Sequence, residues 1–416
     1  MSATLRIGVA GLGTVGASLL QLLDQHGTMI AARAGRTLTV TAVSARDRNR
    51  DRGIDLSGMT WVDDPSDLAT MDGVDVVVEL MGGADGAARE LVSRALANGR
   101  PVVTANKALL AEHGNELADL ADLNGVALGY EAAVAGGIPI IKALKEGLAG
   151  NDVQRVYGIL NGTCNFILTE MRSTGRHFAD VLAEAQALGY AEADPTFDVE
   201  GIDAAHKLAL LSAIAFGRRV DFSRVTVEGI SGISPIDIAY ADEFGFSLKL
   251  LGIAERNGDS ITERVHPFLV AMDDPIAKVD GVNNAVIVEG DFVGQVVLEG
   301  PGAGGGATAS AVAGDLVDIA AGRTSPVFGI PARDLSSEPA GREDRPGVIA
   351  DLAAVLRDNA ISIESLLQRG KPEGGTAPIV LICHDAPESR VLAALKQIEG
   401  LDCILQNPHM IRIKDL

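Results

Sequence analysis

Three glycines in a fixed frame constrain this chain more than any other feature. Gly11-Leu12-Gly13-Thr14-Val15-Gly16 follows the apolar run Ile7 to Ala10 and opens a stretch of helical character. A strand that turns at once into a helix needs a first residue tolerant of unusual φ, a second that lets a ligand approach backbone, and a third small enough for helix to pack on strand. The helix N-terminus then offers unpaired N–H groups and the positive end of its dipole to a pyrophosphate. The frame therefore predicts a dinucleotide site built from Gly11, Leu12, Gly13, Thr14, Val15 and Gly16.

The surrounding rhythm extends that unit. Leu5 to Val9, Thr37 to Val43, Val74 to Leu80 and Pro101 to Thr104 alternate with helical stretches, the pattern of a parallel, helix-covered sheet, so residues 1–130 are expected to form an α/β Rossmann domain. At 416 residues the chain exceeds what one core serves, and two or three domains are expected. Beyond residue 150 strand candidates cluster instead: Val153 to Leu160, Val225 to Ile230, Phe246 to Ala254, Ile261 to Val270, Ala285 to Glu289 and Phe292 to Glu299, with Gly290-Asp291 as a turn. An α+β domain with a mostly antiparallel or mixed sheet is expected over 131–300. The glycine-rich Pro301 to Gly306 precedes a small-residue helix, Thr308 to Ala321, which would return to complete the Rossmann domain over about 301–325. The Pro-, Ser- and charge-rich stretch Thr324 to Arg345 reads as a linker, set at 326–343, ahead of a small tail at 344–416 with helix, strand, helix, strand character.

Where an NAD site would end its second strand in an acid that accepts from the ribose 2'-OH, this chain has Val43-Ser44-Ala45-Arg46-Asp47-Arg48-Asn49-Arg50. A hydroxyl and clustered guanidiniums suit a 2'-phosphate, so NADP held by Ser44 and Arg46 is favoured, while Asp47 keeps NAD open. The formal net charge of −21 would repel nucleic acid and anionic membrane. No apolar run reaches the ~20 residues of a membrane span, and Met1-Ser2-Ala3-Thr4 lacks a basic, then apolar, leader; a cytoplasmic protein is expected. Cys164, Cys383 and Cys403 are odd in number and far apart, which argues against a disulfide framework or a zinc cluster.

Four further segments carry a resemblance. Gly158-Ile-Leu-Asn-Gly-Thr-Cys-Asn-Phe-Ile-Leu168, the Asp-rich run Leu188 to Leu208, Thr104-Ala-Asn-Lys-Ala108 and Glu131-Ala-Ala-Val-Ala-Gly-Gly-Ile-Pro139 together resemble homoserine dehydrogenase across roughly residues 5 to 330. The resemblance implies reversible NADP-linked reduction of L-aspartate 4-semialdehyde to L-homoserine, in threonine, methionine and isoleucine biosynthesis. It implies Glu192 and Asp198 for the substrate ammonium, backbone at Gly162 and Thr163 for its carboxylate, and Tyr190 lining the pocket. Cofactor contacts from Gly82, Thr104, Lys107, Gly302 and Gly304 follow from it too. So does a monovalent cation, sodium, on the Glu131 carboxylate and the carbonyls of Val134, Gly136 and Ile138. A homodimer or homotetramer is expected.

The residues support this chemistry independently. Asp203 and Lys207 are spaced i,i+4 on a predicted helix from Glu200 to Phe216, and Leu210, Leu211 and Ile214 extend their stripe, which turns the pair inward. A buried ion pair is costly without polar partners, so a cleft holding a polar substrate is its natural place. Hydride delivery to an aldehyde creates an alkoxide-like oxygen in need of a proton, which a desolvated lysine can stabilise and protonate. Lys207 is the first choice for that acid, with Asp203 orienting it; Lys107, near the nicotinamide by resemblance, is the rival. Two other readings stay open: a thioester route through Cys164, and a ligand sensor built on an inactive dehydrogenase core.

The tail resembles an ACT module, βαββαβ, through Arg342 to Leu352 and Asn359 to Ile363. The strand expected before Asp344 is replaced by Ser336-Ser-Glu-Pro-Ala-Gly341, polar and strand-breaking, so the sheet is short of an edge or the module is degenerate. Threonine feedback and a purely structural tail both remain open.

Overall fold

The computed structural model describes residues 4–258, 260–336, 348–368, 379–383 and 386–401. The first half runs β1 (Leu5–Ala10), α1 (Thr14–Ala34), β2 (Leu38–Ser44), β3 (Thr60–Trp61), β4 (Val76–Glu79), α2 (Ala87–Ala97), β5 (Val102–Thr104), α3 (Lys107–Asn124), β6 (Leu128–Gly129) and the short α4 (Ile140–Lys142). Next come β7 (Val153–Ile159), α5 (Gly162–Thr174), α6 (Phe178–Ala187), α7 (Thr196–Val199), α8 (Ile202–Phe216), β8 (Thr226–Val227), α9 (Pro235–Glu243), β9 (Phe246–Asn257), β10 (Ser260–Ala271), β11 (Asn283–Gly290), β12 (Gly294–Pro301) and α10 (Gly305–Ala320). Last are α11 (Val348–Asp358), β13 (Ile363–Gln368), β14 (Ile379–Cys383) and α12 (Glu388–Glu399). They fall into two compact units, one of residues 1–255 and 263–338, the other of 256–262 and 339–416.

The first sheet has the order β3-β2-β1-β4-β5-β6, all pairs parallel. Successive Val-rich strands are buried on both faces, as a helix-covered parallel sheet requires. The order reverses between β1 and β4, so a crevice opens beyond the carboxyl ends of these strands. Ala309, Val312, Ala313 and Leu316 of α10 pack into the same core as Leu12, Leu19 and Leu20, which returns the chain to α1. Sequence reading missed β3 and β6, whose two residues each carry no measurable alternation.

The second sheet, order β12-β11-β7-β9-β10-β8, is mixed: antiparallel through β12, β11, β7 and β9, with β8 parallel to β10. Period-2 alternation sorts its strands into two cores. Val156, Val286 and Val288 face the helices, while Tyr157, Ile159, Ala285 and Ile287 form a separate cluster on the other side with Leu251, Ile253 and Ile276. Two expectations need correction. Val225 to Ile230 shrinks to Thr226–Val227 because the chain then leaves the sheet, the Ile230 amide donating to the Val199 carbonyl at 2.8 Å. The β11–β12 turn falls at Asp291–Val293, past Gly290, with Gly294 in the left-handed region.

The stretch expected as a linker is packed where it is described. Val327, Phe328 and Leu335 are buried, the Tyr130 hydroxyl donates to the Val327 carbonyl at 2.6 Å, and Asp122 accepts from the Ala332 amide at 2.6 Å. In the second unit α11 and α12 share a small core, Leu352, Leu356, Ile361, Ala394 and Ile398, and β13 pairs antiparallel with β14. The first and last strands expected of an ACT module, and Cys403, lie outside the described residues. Among the described residues no helix is long and apolar enough to cross a membrane.

Candidate active site

β1 delivers the glycine turn to the crevice. At Gly11, φ is +103° and a Cβ would sit 2.5 Å from the Leu80 carbonyl oxygen; at Gly16 it would sit 2.1 Å from the Gly11 carbonyl oxygen. A Cβ at Gly13, by contrast, would meet nothing within 4 Å, so that side of its backbone is open to a ligand. Gly13 also caps α1 without a side chain, leaving the first-turn amides of Thr14 and Val15 for an anion. These features fit a dinucleotide pyrophosphate. Gly16→Ala is expected to push helix from strand and raise the Kd for dinucleotide at least about tenfold, roughly 1.4 kcal/mol, in a binding titration.

The opposite wall depends on a residue the sequence did not advertise. Glu79, fully buried at the end of β4, accepts the amides of Met81 (2.6 Å) and Gly82 (3.2 Å) on one oxygen and the Thr104 hydroxyl (2.7 Å) on the other. Thr104 accepts the Asn106 amide at 2.9 Å, and Asn106 both donates to the Gly83 carbonyl and caps α3. This network shapes the 80–83 loop, and Leu80, Met81, Gly82, Ala105 and Asn106 line a cleft with Val15. Gly304 precedes Gly305, where a Cβ would meet Ser18 Oγ at 2.5 Å, so the Gly302–Gly304 segment leads onto the start of α1. Ser44 is buried, its carbonyl accepting the Gly11 amide at 2.8 Å, and Arg46 is exposed. The Asp47 carboxylate closes its own turn, accepting the Asn49 amide at 2.9 Å.

Asp203 is the hub of a buried charged cluster. It is buried on α8, with Lys207 Nζ 2.7 Å from Oδ2 and Lys107 Nζ 2.9 Å from Oδ1. Lys107 begins α3 directly after Asn106, so the carboxylate ties the residue beside the dinucleotide cleft to α8. Asn161, missed as a site residue, donates to Asp203 Oδ2 (2.9 Å) and Asp198 Oδ1 (2.8 Å), and Lys207 also donates to the Leu160 carbonyl at 2.7 Å. Burial works against the Asp203 charge, but the two ammoniums outweigh it and hold the carboxyl well below its usual range. For Lys107 burial likewise opposes charge, and Asp203, then Asp198 and Glu192, overcome it and raise the pKa. The Lys107 side chain is 35% exposed and that of Lys207 10%, so Lys107 is the more accessible ammonium. α8 is buried almost all round from Asp203 to Ile214, a correction to the one-sided stripe: the second sheet covers one flank and α3 another.

Other expected residues gather here to different degrees. Burial pushes the Asp198 carboxyl above its usual range, against the hydrogen bond from Asn161. Glu192 is exposed and acts on Lys107 only through its charge. Thr163 Oγ1 donates to the Tyr190 carbonyl at 2.7 Å, and the Tyr190 ring stands edge-on to Phe166 at 5.0 Å. Gly162 starts α5, under the cap Asn161. Phe197, not anticipated, carries Lys107 Nζ 5.9 Å from its ring centroid. Cys164 is fully buried with its thiol donating to the Asp198 carbonyl, and burial pushes its pKa well up, which disfavours the thioester route.

Glu131 lies apart from this cluster. Its oxygens accept the amides of Ile141 (2.8 Å) and Lys142 (2.9 Å), and its own amide donates to Asp315. Burial pushes both carboxyls up, Asp315 to about 7. Ala135 and Gly136 are both left-handed, at φ +55° and +51°, strained at the alanine, and together they turn the backbone between Val134 and Ile138. The Ile138 carbonyl already accepts the Ile140 amide at 2.8 Å.

Comparison with known proteins adds to this geometry. Models for homoserine dehydrogenase, for its NAD binding domain and for the ACT domain match residues 139–317, 11–131 and 340–401. The chain is 46% identical to a homoserine dehydrogenase of Neisseria gonorrhoeae, covering 99% of this chain and 98% of that one. It is 45% identical to one of Pseudomonas aeruginosa, covering 99% of each. Among solved structures, a homoserine dehydrogenase from Thiobacillus denitrificans is 45% identical with TM-score 0.80, again over 99% of each chain. A hyperthermophilic archaeal homoserine dehydrogenase mutant in complex with NADPH is 28% identical with TM-score 0.65, over 76% of this chain and 97% of that one.

Proposed function

The chain belongs to the homoserine dehydrogenase family, and from that premise we propose that it reduces L-aspartate 4-semialdehyde with NADPH at the cluster of Lys107, Asp203 and Lys207. The observation that carries this reading is one buried carboxylate holding two ammoniums, the more accessible of them on Lys107, the residue that directly follows Asn106 of the cleft wall.

Bound NADPH supplies the hydride. The amides of Thr14 and Val15 and the walls at Gly82 and Thr104 would hold the dinucleotide, with Gly302 and Gly304 closing the cleft against α1. Lys107 then meets the aldehyde oxygen, balances its growing charge and gives up a proton from Nζ. This shifts the acid from Lys207, because Lys207 spends two donors on Asp203 and the Leu160 carbonyl, whereas Lys107 has one hydrogen bond among the described residues. Lys207 keeps Asp203 ionised and oriented. Glu192 and Asp198 provide negative charge for the substrate ammonium; the start of α5 at Gly162 and Thr163 offers amides to its carboxylate, beside Tyr190. The preference for NADP over NAD is supported by the Asp47 carboxylate being engaged in its own turn. Purified protein should form NADPH from homoserine and NADP, and absence of that reaction would reject the assignment.

A sodium-type monovalent cation on Glu131, with carbonyls of Val134, Gly136 and Ile138, would add to the positive charge that Lys142 and Lys145 already bring to the buried carboxyls of Glu131 and Asp315. Both folded-state carboxyls titrate above ordinary values, so a cation that needs them ionised binds better as pH rises. Exchanging sodium for a bulky organic cation should therefore lower Tm by several degrees at pH 8 and by much less at pH 5; equal shifts would reject the site. A cytoplasmic homodimer or homotetramer, with threonine feedback through the ACT domain, completes the proposal. Sedimentation and an assay with added threonine test those two parts.

A further inference from the structure

One side chain fixes the loop that follows β2. The Arg52 guanidinium donates to three backbone carbonyls: Nε to Leu12 at 3.1 Å, Nη1 to Arg50 at 2.7 Å and Nη2 to Asp47 at 2.5 Å. Its Cζ also lies 5.8 Å from the centroid of the Trp61 ring, and the Arg48 Cζ lies 5.7 Å from the same centroid. Arg52 is half-buried, while Arg46, Arg48 and Arg50 are exposed and have no hydrogen-bond or ion-pair partner for their side chains among the described residues. The arginines therefore divide by role. Arg52 spends its planar fork on carbonyls, which a compact ammonium cannot match, and thereby ties the loop to Leu12 in the glycine turn.

We propose that Arg52, seated on Trp61, is the positioning residue for recognition of a ribose 2'-phosphate. It fastens the loop so that Arg48 stays on the indole near the glycine turn and the Asp47 backbone is pinned, leaving guanidinium rather than carboxylate to meet the anion. Trp61 belongs to β3, paired with Val43 at the end of β2, so the platform rests on the sheet that carries the glycine turn. This inference rests on the NADP reading given above and adds how selectivity is set.

Trp61 is the only tryptophan of the chain, so its emission reports nucleotide binding without turnover. The test titrates the full-length protein and its variants Arg52→Lys and Arg52→Gln with 2',5'-ADP and with 5'-AMP, by Trp61 emission and by calorimetry, alongside kinetics with NADPH and NADH. Both variants should weaken 2',5'-ADP binding about tenfold and 5'-AMP binding less than about twofold, and raise KM for NADPH with kcat unchanged. Full affinity in Arg52→Lys would overturn the proposal, since a plain charge would then suffice. Equal losses for the two nucleotides would overturn it as well, marking a general loop defect. If both variants keep the wild-type preference for 2',5'-ADP, Arg52 has no positioning role and the NADP reading stands. If the wild-type protein itself binds the two nucleotides alike, the NADP reading falls and takes this inference with it.

Discussion

Replacing Lys107 with Met is expected to lower kcat for aldehyde reduction by about 10³-fold, within the range for removing a positioned acid that also balances an oxyanion. The substitution keeps side-chain length while deleting the ammonium that faces the Phe197 ring. Dinucleotide affinity should stay within about twofold, because the glycine turn and the Glu79 network that shape the cleft do not use the Lys107 side chain. Lys207→Met removes a deeper donor and should damage stability as well as rate, for it strips a partner from a buried carboxylate. Single-turnover kinetics separate the two. If Lys107→Met retained more than about a tenth of the wild-type chemical step, the proton would have to come from elsewhere.

The second large effect belongs to Asp203→Asn. Burial opposes the Lys107 charge, and Asp203 is the largest influence sustaining it. Without that carboxylate two ammoniums face a neutral amide, so the Lys107 pKa should fall by at least about one unit, the usual scale for losing an opposite charge within hydrogen-bonding reach. Homoserine oxidation needs the neutral amine as base, so its rise with pH should move to lower pH; aldehyde reduction needs the ammonium, so its alkaline decline should move the same way. At pH 7, where Lys107 stays protonated, a loss of about 10²-fold in reduction is expected from the ammonium no longer being held in place. Stability follows the carboxylate's own titration. The folded-state pKa of Asp203 is depressed, so its stabilisation is complete above the unfolded value near 4 and disappears as pH falls through the folded value. The difference in unfolding free energy between wild type and variant, about 3 kcal/mol at pH 7, should thus shrink in acid. An unmoved alkaline limb would show that Asp203 does not set the charge of Lys107.

Much of this was legible in sequence because local rules happen to report long-range facts. The glycine frame and the strand rhythm gave the parallel sheet, since a turn this tight and strands this apolar have few alternatives. The i,i+4 spacing of Asp203 and Lys207 placed both groups together because one helix carries them. What stayed hidden depends on partners distant in the chain. Lys107 reaches Asp203 from another helix, Asn161 serves two carboxylates 37 and 42 residues away, and Glu79 organises its loop through Thr104. None of these contacts has a period. Val327 and Phe328 were concealed likewise, as isolated apolar residues in a stretch whose Pro and charge content reads as solvent-exposed. Asp47 could be weighed only once its carboxylate was seen bonded to Asn49.

The carboxylate shared by α3 and α8 also bears on how such an enzyme can change over evolutionary time. A nucleotide-binding half and a substrate-binding half are often thought of as exchangeable parts, each free to drift. On the proposed mechanism the reacting groups sit on two different helices, so a chimera grafting either half from a cousin is expected to assemble a working centre only when the donor brings a lysine at one helix start and the recipient an acid one turn before its own. Recombination between such halves is then filtered by a single contact.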